Sequence, residues 1–137
     1  MPVRTYIDSG VLIYAWRGDG PLGDAARAFL YDPLREYVTS DYVKVELLPK
    51  CMYHENFDEE RFYADFFSSA SVQVPSGDDL LALAIAEGAR TGISGIDAIH
   101  VACALVAEAQ ELITAEKPSK PINRAVGITV ISIRSDE

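Results

Sequence analysis

The sequence predicts an α/β fold in which helices cover both faces of a mostly parallel sheet. Short apolar runs that suit buried strands alternate along the chain with longer segments of helical periodicity. Helices that connect parallel strands pack on the faces of the sheet, so this alternation indicates the layered arrangement. A length of 137 residues suits a single domain, placed at 1–137, and 49% hydrophobic residues are enough for a core.

Several short runs have the composition of buried strands and are bounded by turn residues. The first run is broken by Asp8-Ser9-Gly10, and the third is punctuated by Pro75-Ser76-Gly77. The predicted strands are Val3–Ile7, Tyr37–Thr39, Val72–Val74, Leu112–Thr114 and Ile128–Ile133. In parallel sheets, ligands bind beyond the carboxyl ends of the strands, so the residues that follow each strand are the first candidates for a site.

The segments between the predicted strands have helical features. Ser40 suits an N-cap, and Pro49 is expected to kink or end the helix that Ser40 begins. An acidic first turn at Asp58-Glu59-Glu60 precedes a stripe of aromatic residues from Phe62 to Phe67. One helix is predicted to start within Val11–Trp16 and another at Asp58–Glu60. The other four predicted helices are Leu22–Tyr31, Asp41–Tyr53, Asp79–Ala89 and Asp97–Ala109.

Composition restricts the class of protein. The N-terminal residues do not have the features of a signal peptide, and the apolar stretches are shorter than the roughly 20 residues that span a bilayer. Cys51 and Cys103 belong to no C-x-x-C pair and are expected to be buried, reduced thiols. We therefore expect a cytoplasmic protein without a membrane segment.

The net charge of −9 argues against a protein that binds nucleic acid over its whole surface. If nucleic acid is the substrate, the contact must be local, and a metal ion or a basic partner must strengthen it.

Four acidic residues have positions that suggest a shared site. Asp8 follows the first strand, Glu116 follows the Leu112–Thr114 strand, and Asp97 opens an apolar helix. Glu46 lies within a helix among aliphatic residues, where burial of an ionised side chain is costly unless it is paired. Each residue alone has a simpler interpretation, because Asp8 and Asp97 suit helix caps and the two glutamates suit solvated positions.

Together, the four carboxylates favour a metal site. Two carboxylates about 4 Å apart repel each other by about 4 kcal/mol at an effective dielectric constant near 20. A divalent cation would remove that repulsion, and oxygen ligands without His or Cys suit Mg²⁺ or Mn²⁺ better than zinc. Such an ion activates water and stabilises the charge on a phosphate under attack.

The segments that contain these acids resemble, in order and spacing, the signature segments of PIN domains. The resemblance covers essentially the whole chain, and its first and third segments are the most specific. The four segments are Tyr6–Ile13, Val45–Leu47, Gly95–Ala102 and Leu112–Glu116.

The resemblance implies an α/β/α sandwich of three layers, with Asp8, Glu46 and Asp97 as the central metal ligands. It also implies an endoribonuclease that uses metal-activated water and leaves a 5′-phosphate and a 3′-hydroxyl. PIN proteins of this size resemble VapC toxins, which implies a homodimer and a cognate antitoxin as partners.

The fourth segment departs from the family pattern. PIN domains commonly have Thr-x-Asp followed by an aromatic residue, whereas this chain has Thr114-Ala115-Glu116 followed by Lys117. Because Glu is longer than Asp, Glu116 is expected to bind metal through water or not at all.

Other residues near the four acids are candidates for supporting roles. Ser9 and Thr114 can orient the site through their hydroxyls or simply bond to the local backbone. Lys117 and Lys120 can hold substrate phosphates or belong to a solvated loop. His100 is expected to be a core histidine with satisfied hydrogen bonds rather than a base or a ligand.

Alternative functions remain open at this stage. A haloacid-dehalogenase-type phosphatase requires Asp-x-Asp after the first strand, where this chain has Gly10, and a receiver domain requires paired acids there. A PIN-like binding module without catalysis and a housekeeping RNA-processing nuclease are both compatible with the sequence.

Overall fold

Five strands form one sheet in the protein, whose computed structural model describes residues 1–135. The strands are β1 (Val3–Ile7), β2 (Arg35–Ser40), β3 (Val72–Val74), β4 (Glu111–Thr114) and β5 (Thr129–Ser132). The helices are α1 (Ser9–Arg17), α2 (Gly20–Leu30), α3 (Asp41–Tyr53), α4 (Phe57–Ser69), α5 (Asp78–Thr91) and α6 (Gly95–Val106), with a 3₁₀ turn at Pro121–Arg124. This is the α/β class that the sequence predicts.

The strand order is β3-β2-β1-β4-β5, and every pair of neighbouring strands is parallel within the described residues. Thr5 of β1 is in register with Tyr37 of β2 on one side and with Glu111 of β4 on the other. The sheet is therefore parallel throughout this part of the chain.

Two groups of helices cover the sheet. Helices α1 to α4 contact one another, and α5 packs against α6. Connections between parallel strands are right-handed, and the chain moves outward from β1 to β3 before it returns past β1 to β4. The two groups of helices therefore lie on opposite faces, which gives the sandwich of three layers.

The same topology creates a crevice at the carboxyl ends of β1 and β4. The chain leaves β1 toward β2 and leaves β4 toward β5, so the two connections move apart in opposite directions. Ligands bind in such crevices in open α/β sheets. Asp8 follows β1 and Glu116 lies two residues beyond β4, so both residues stand at this point.

Helix α3 has the predicted bounds, Asp41–Tyr53, and it continues through Pro49 rather than ending there. Leu47 and Cys51, on either side of the proline, are buried in the core. Helix α6 begins at Gly95, two residues before the predicted start, and Ser94 is its N-cap. It ends at Val106 rather than at Ala109, and a left-handed conformation at Glu108 (φ 56°) follows.

Cys51 and Cys103 are buried free thiols, as the sequence predicts. Among residues 1–135, no single helix is long and apolar enough to cross a membrane; α5 and α6 satisfy those criteria only as a pair bent by 111°.

Candidate metal centre

The crevice beyond β1 and β4 holds a pocket of about 320 Å³. All four acids singled out in the sequence line it, although they come from four separate segments of the chain. The remaining lining residues are Ser9, Gly10, Ile13, Tyr14, Ile96, His100, Ala115 and Arg134.

Asp8 is the most deeply buried of the four acids, with 5% of its surface exposed. Its Oδ1 accepts a hydrogen bond from the backbone N–H of Val11 at 3.2 Å, so it also caps α1. Burial raises the pKa of Asp8 to about 6, against the opposing effects of a hydrogen bond from Thr114 and of the nearby His100. A carboxyl group with this pKa is destabilised in its ionised form, which is the form that binds a cation.

Gly10 allows the turn after β1 to approach the end of β4. A Cβ atom at this position would lie 2.9 Å from the Cβ of Ala115, closer than side chains normally approach. The missing side chain therefore brings the Asp8 turn beside the segment that carries Glu116.

Glu46 lies at the rim of the pocket rather than within the core. About 30% of its side-chain surface is exposed, so the argument that burial requires a metal partner for Glu46 is wrong. Its Oε1 instead accepts hydrogen bonds from Ser9 Oγ at 2.9 Å and from His100 Nε2 at 2.7 Å. Burial raises the pKa of Glu46, but these bonds and the charge of His100 outweigh it and hold the pKa below its ordinary value.

His100 is buried and hydrogen-bonded, as predicted, but its partner is one of the four acids. Only 2% of the residue is exposed, and its two ring nitrogens contact Glu46 and the hydroxyl of Tyr6. The sequence contained a signal for this role, because Asp97 and His100 are three residues apart and share one face of α6.

Asp97 and Glu116 complete the acidic lining. Asp97 lies in the first turn of α6 and is not its cap, because Ser94 occupies that position. Burial and the charges of Glu116 and Glu46 raise the pKa of Asp97, while the charge of His100 lowers it. The carboxylates are thus close enough to repel each other.

Thr114 connects two of these segments. Its side chain is fully buried, bonds to the carboxylate of Asp8 and accepts a hydrogen bond from the backbone N–H of Glu116 at 3.0 Å. The hydroxyl therefore holds the turn after β4 against the turn after β1.

The cationic residue in the pocket lining is one that the sequence reasoning did not select. Lys117 and Lys120 follow β4 but are not among the lining residues, and their role as phosphate contacts stays a prediction. Arg134 does line the pocket, and its Nε donates to the backbone oxygen of Ala115 at 2.8 Å. Its Nη2 donates to the hydroxyl of Tyr14 at 2.6 Å. Proximity in the sequence favoured the lysines, whereas β5 carries Arg134 to the site from the end of the chain.

The chemistry of the pocket fits a hard divalent cation. Within residues 1–135, no three His, Cys, Asp or Glu side chains converge closely enough to hold an ion without moving. The four carboxylates nevertheless surround one pocket, and the pKa values of Asp8 and Asp97 are raised partly by neighbouring carboxylates. An all-oxygen donor set of this kind suits Mg²⁺ or Mn²⁺ once the side chains rotate toward the ion.

The fold and the pocket together define an α/β protein with an acidic site at the topological switch point of a parallel sheet. The family model of the PIN domain matches residues 5–118. The chain belongs to the PIN domain family, which is a family of nucleases.

Three solved structures share this fold at low sequence identity. FitAcB from Neisseria gonorrhoeae is 16% identical with a TM-score of 0.69, over 94% of this chain and 97% of that chain. VapBC2 from Rickettsia felis, bound to a DNA fragment from its promoter, is 13% identical with a TM-score of 0.68, over 95% and 98%. A toxin–antitoxin complex from Klebsiella pneumoniae is 19% identical with a TM-score of 0.66, over 95% and 98%. No curated protein matches the chain in sequence.

The raised pKa of Asp8 predicts that Asp8→Asn stabilises the metal-free protein at neutral pH. Between the ordinary value of 3.8 and the folded value of about 6, the folded state binds more protons than the unfolded state, so stability falls as the pH rises. Asn removes the charge and still caps a helix. We expect the free energy of unfolding to rise by about 1–3 kcal/mol at pH 7.5, and by almost nothing near pH 4.

Urea denaturation of both proteins with a chelator present, between pH 4 and 8, measures this difference. Asp19→Asn is the matched control, because Asp19 is also an N-cap aspartate but is exposed and makes no capping bond. A gain that is the same at pH 4 and pH 7.5 would contradict the prediction.

The repulsion in the pocket also predicts that Mn²⁺ or Mg²⁺ stabilises the folded protein. Binding at 100 times the dissociation constant adds about 2.7 kcal/mol, which raises the melting temperature by several degrees in a chain of this size. Asp97→Asn is expected to remove most of the shift. Differential scanning calorimetry with and without 5–10 mM Mn²⁺, at roughly neutral pH, measures it, and an unchanged wild-type melting temperature would count against a metal centre.

Proposed function

We propose that the protein is a metal-dependent endoribonuclease and the toxin of a toxin–antitoxin pair. The observation that carries the proposal is the convergence of Asp8, Glu46, Asp97 and Glu116 on one pocket in a chain of the PIN domain family. The products expected from the family are a 5′-phosphate and a 3′-hydroxyl.

The residues of the pocket would have different roles in catalysis. Asp8, Glu46 and Asp97 would hold a divalent ion. Glu116, whose side chain is longer than that of Asp, would contact the ion through a water molecule. When bound, such an ion lowers the pKa of water and neutralises charge on the phosphate. Ser9 orients the carboxylate of Glu46, and Thr114 orients that of Asp8.

The charge of the chain requires a local contact with RNA. Among the residues that line the pocket in the described part of the chain, Arg134 is the one Lys or Arg. Its guanidinium lies 5.4 Å from the ring centroid of Tyr14 and is hydrogen-bonded to the Tyr14 hydroxyl, which holds it beside the acids. Guanidinium groups bind phosphate through paired hydrogen bonds, so Arg134 supports contact with a phosphate next to the scissile bond.

The Klebsiella pneumoniae structure of the same fold is a toxin–antitoxin complex, which supports an antitoxin as the partner of this chain. We include in the proposal the homodimer and the cytoplasmic location expected from the sequence. The alternative favoured by a specific observation is a PIN-like binding module, because the described carboxylates do not converge on one point as they stand.

Asp97→Asn is expected to abolish cleavage of single-stranded RNA, because it removes the charge of a central ligand while it preserves its shape. Glu116→Gln is expected to reduce the rate less, since Glu116 would act through water. The measurement is Mn²⁺-dependent cleavage of a mixed RNA pool by protein purified without any partner, with the chelated reaction as a blank.

Equal cleavage by the wild type and by Asp97→Asn would indicate a contaminating nuclease. The absence of cleavage by a folded, metal-binding wild type, across pools that include structured RNA, would favour the binding module over the nuclease.

Arg134→Gln is expected to weaken RNA binding and to reduce the slope of log affinity against log salt by about one, because one phosphate contact is lost. The Asp97→Asn background allows binding to be measured without cleavage, by fluorescence anisotropy at several salt concentrations. Arg90→Gln is the matched control, since Arg90 pairs with Glu87 on α5 and is not among the residues that line the pocket.

The double variant Lys117→Ala, Lys120→Ala tests the prediction made from the sequence against Arg134. If the lysine variant loses affinity for RNA and Arg134→Gln does not, the phosphate contact lies in the loop after β4 rather than at Arg134.

A further inference from the structure

The hydrogen bonds of Glu46 continue into the core as a connected series of side-chain hydrogen bonds. Nδ1 of His100 lies 2.7 Å from the hydroxyl of Tyr6, and that hydroxyl lies 2.9 Å from Oγ of Ser40. Oγ of Ser40 in turn accepts a hydrogen bond from the backbone N–H of Val43, in the first turn of α3. Tyr6 and Ser40 are fully buried, and 2% of His100 is exposed.

The carboxylate of Glu46 determines the direction of its bond with His100, and the protonation of the His100 ring determines the direction of the others. An ionised Glu46 carboxylate can only accept, so Nε2 of His100 must carry a proton and donate it. In a neutral ring Nδ1 is then an acceptor, so Tyr6 donates to His100 and Ser40 donates to Tyr6. In a protonated ring Nδ1 donates to Tyr6 instead, and Nε2 still donates to Glu46.

Glu46 needs such support because of its position. It projects from α3 at the rim of the pocket, where about 30% of its side-chain surface is exposed and a glutamate has several accessible rotamers. The bonds from His100 and Ser9 both go to Oε1, which leaves Oε2 for a ligand. The backbone of α3 is tied to the same chain through Ser40 and Val43.

We propose that Ser40, Tyr6 and His100 form a buried relay of positioning residues that fixes Oε1 of Glu46 and leaves Oε2 to bind the divalent cation. This inference rests on the proposed metal centre and extends it to residues that do not touch the ion. Removal of a residue that is hydrogen-bonded to a metal ligand commonly weakens metal binding by about 10–100-fold.

Two variants remove hydrogen bonds of the relay, and a third restores a donor to Glu46. Tyr6→Phe deletes only the hydroxyl, so Nδ1 of His100 loses its hydrogen-bond partner and the ring is held less firmly. We expect Mn²⁺ affinity to fall by about 10-fold. His100→Leu removes the donor to Glu46 and should weaken Mn²⁺ by about 10–100-fold. His100→Gln places an amide N–H near the position of Nε2 and should restore most of the affinity.

Tyr63→Phe is the matched control for the loss of a buried hydroxyl. Tyr63 is fully buried, like Tyr6, and its hydroxyl donates to the carboxylate of Glu59, which does not line the pocket. Its Mn²⁺ affinity should equal that of the wild type, even if its melting temperature falls.

The experiment is Mn²⁺ titration of the full-length chain and its variants by calorimetry, together with ¹⁵N NMR of the histidine rings in the metal-free wild type. The chain has two histidines, and the other, His54, is exposed, so their signals are distinguishable. The relay predicts a proton on Nε2 of His100 and the order of affinities described above. A wild-type ring with its proton on Nδ1 alone would overturn the relay without any variant.

The titrations separate the relay from the proposed function. If the wild type binds Mn²⁺, Asp97→Asn does not, and Tyr6→Phe and His100→Leu bind as the wild type does, the relay is wrong and the metal centre stands. If His100→Leu binds more tightly, His100 competes with the ion for Glu46, and the relay is again wrong. If the wild type does not bind Mn²⁺, the metal centre fails, and the tautomer of His100 still decides whether the hydrogen-bonded chain exists.

Discussion

Repulsion among carboxylates that share a small pocket is the interaction on which the site depends. Burial is the largest cause of the raised pKa of both Asp8, which reaches about 6, and Asp97, and the charges of neighbouring carboxylates raise both further. The hydrophobic core adjoins the site, because Ile7 and Ala98, the neighbours of Asp8 and Asp97 in sequence, are buried in it. In the metal-free protein the buried carboxylates lower the free energy of unfolding, and a bound cation would raise it again.

The rest of the pocket can be understood as support for these charges. Thr114 bonds to Asp8, Ser9 and His100 bond to Glu46, and the first turn of α6 carries Asp97. Hydrogen bonds to the ionised form lower the pKa of a carboxyl group, and in Glu46 they outweigh the effect of burial. The four acids are therefore not equivalent, because the pKa of Glu46 lies below its ordinary value whereas the pKa values of Asp8 and Asp97 lie above theirs.

The RNA substrate proposed above must bind to a protein of strongly acidic composition. The chain carries a net charge of −9, which repels a phosphate backbone at a distance. A cation at the four carboxylates and a guanidinium at Arg134 would together reverse the local sign at the pocket. The same acidity favours a basic partner, which is the kind of interaction that a cognate antitoxin could supply.

Local patterns in the sequence determined the elements and the identity of the four acids. Short apolar runs bounded by turn residues predicted the five strands, and apolar residues at helical spacing predicted most of the α-helices. The turn residues after β1 and β4 marked the edge of the sheet where Asp8 and Glu116 lie. The 3₁₀ turn at Pro121–Arg124 was not predicted, since it depends on the burial of Ile122 in the core.

Tertiary structure alone decided which distant residues meet. His100 reaches Glu46 because α6 and α3 converge at the same edge of the sheet, and nothing local to either helix encodes that contact. Arg134 lines the pocket because β5 pairs with β4, which brings the end of the chain beside Tyr14. Lys117 and Lys120 were predicted as phosphate contacts from their proximity in sequence to Glu116, and they are not among the residues that line the pocket. The sequence by itself thus determined the fold class and the four acids that line the pocket, while long-range packing determined their hydrogen bonds and placed Arg134 beside them.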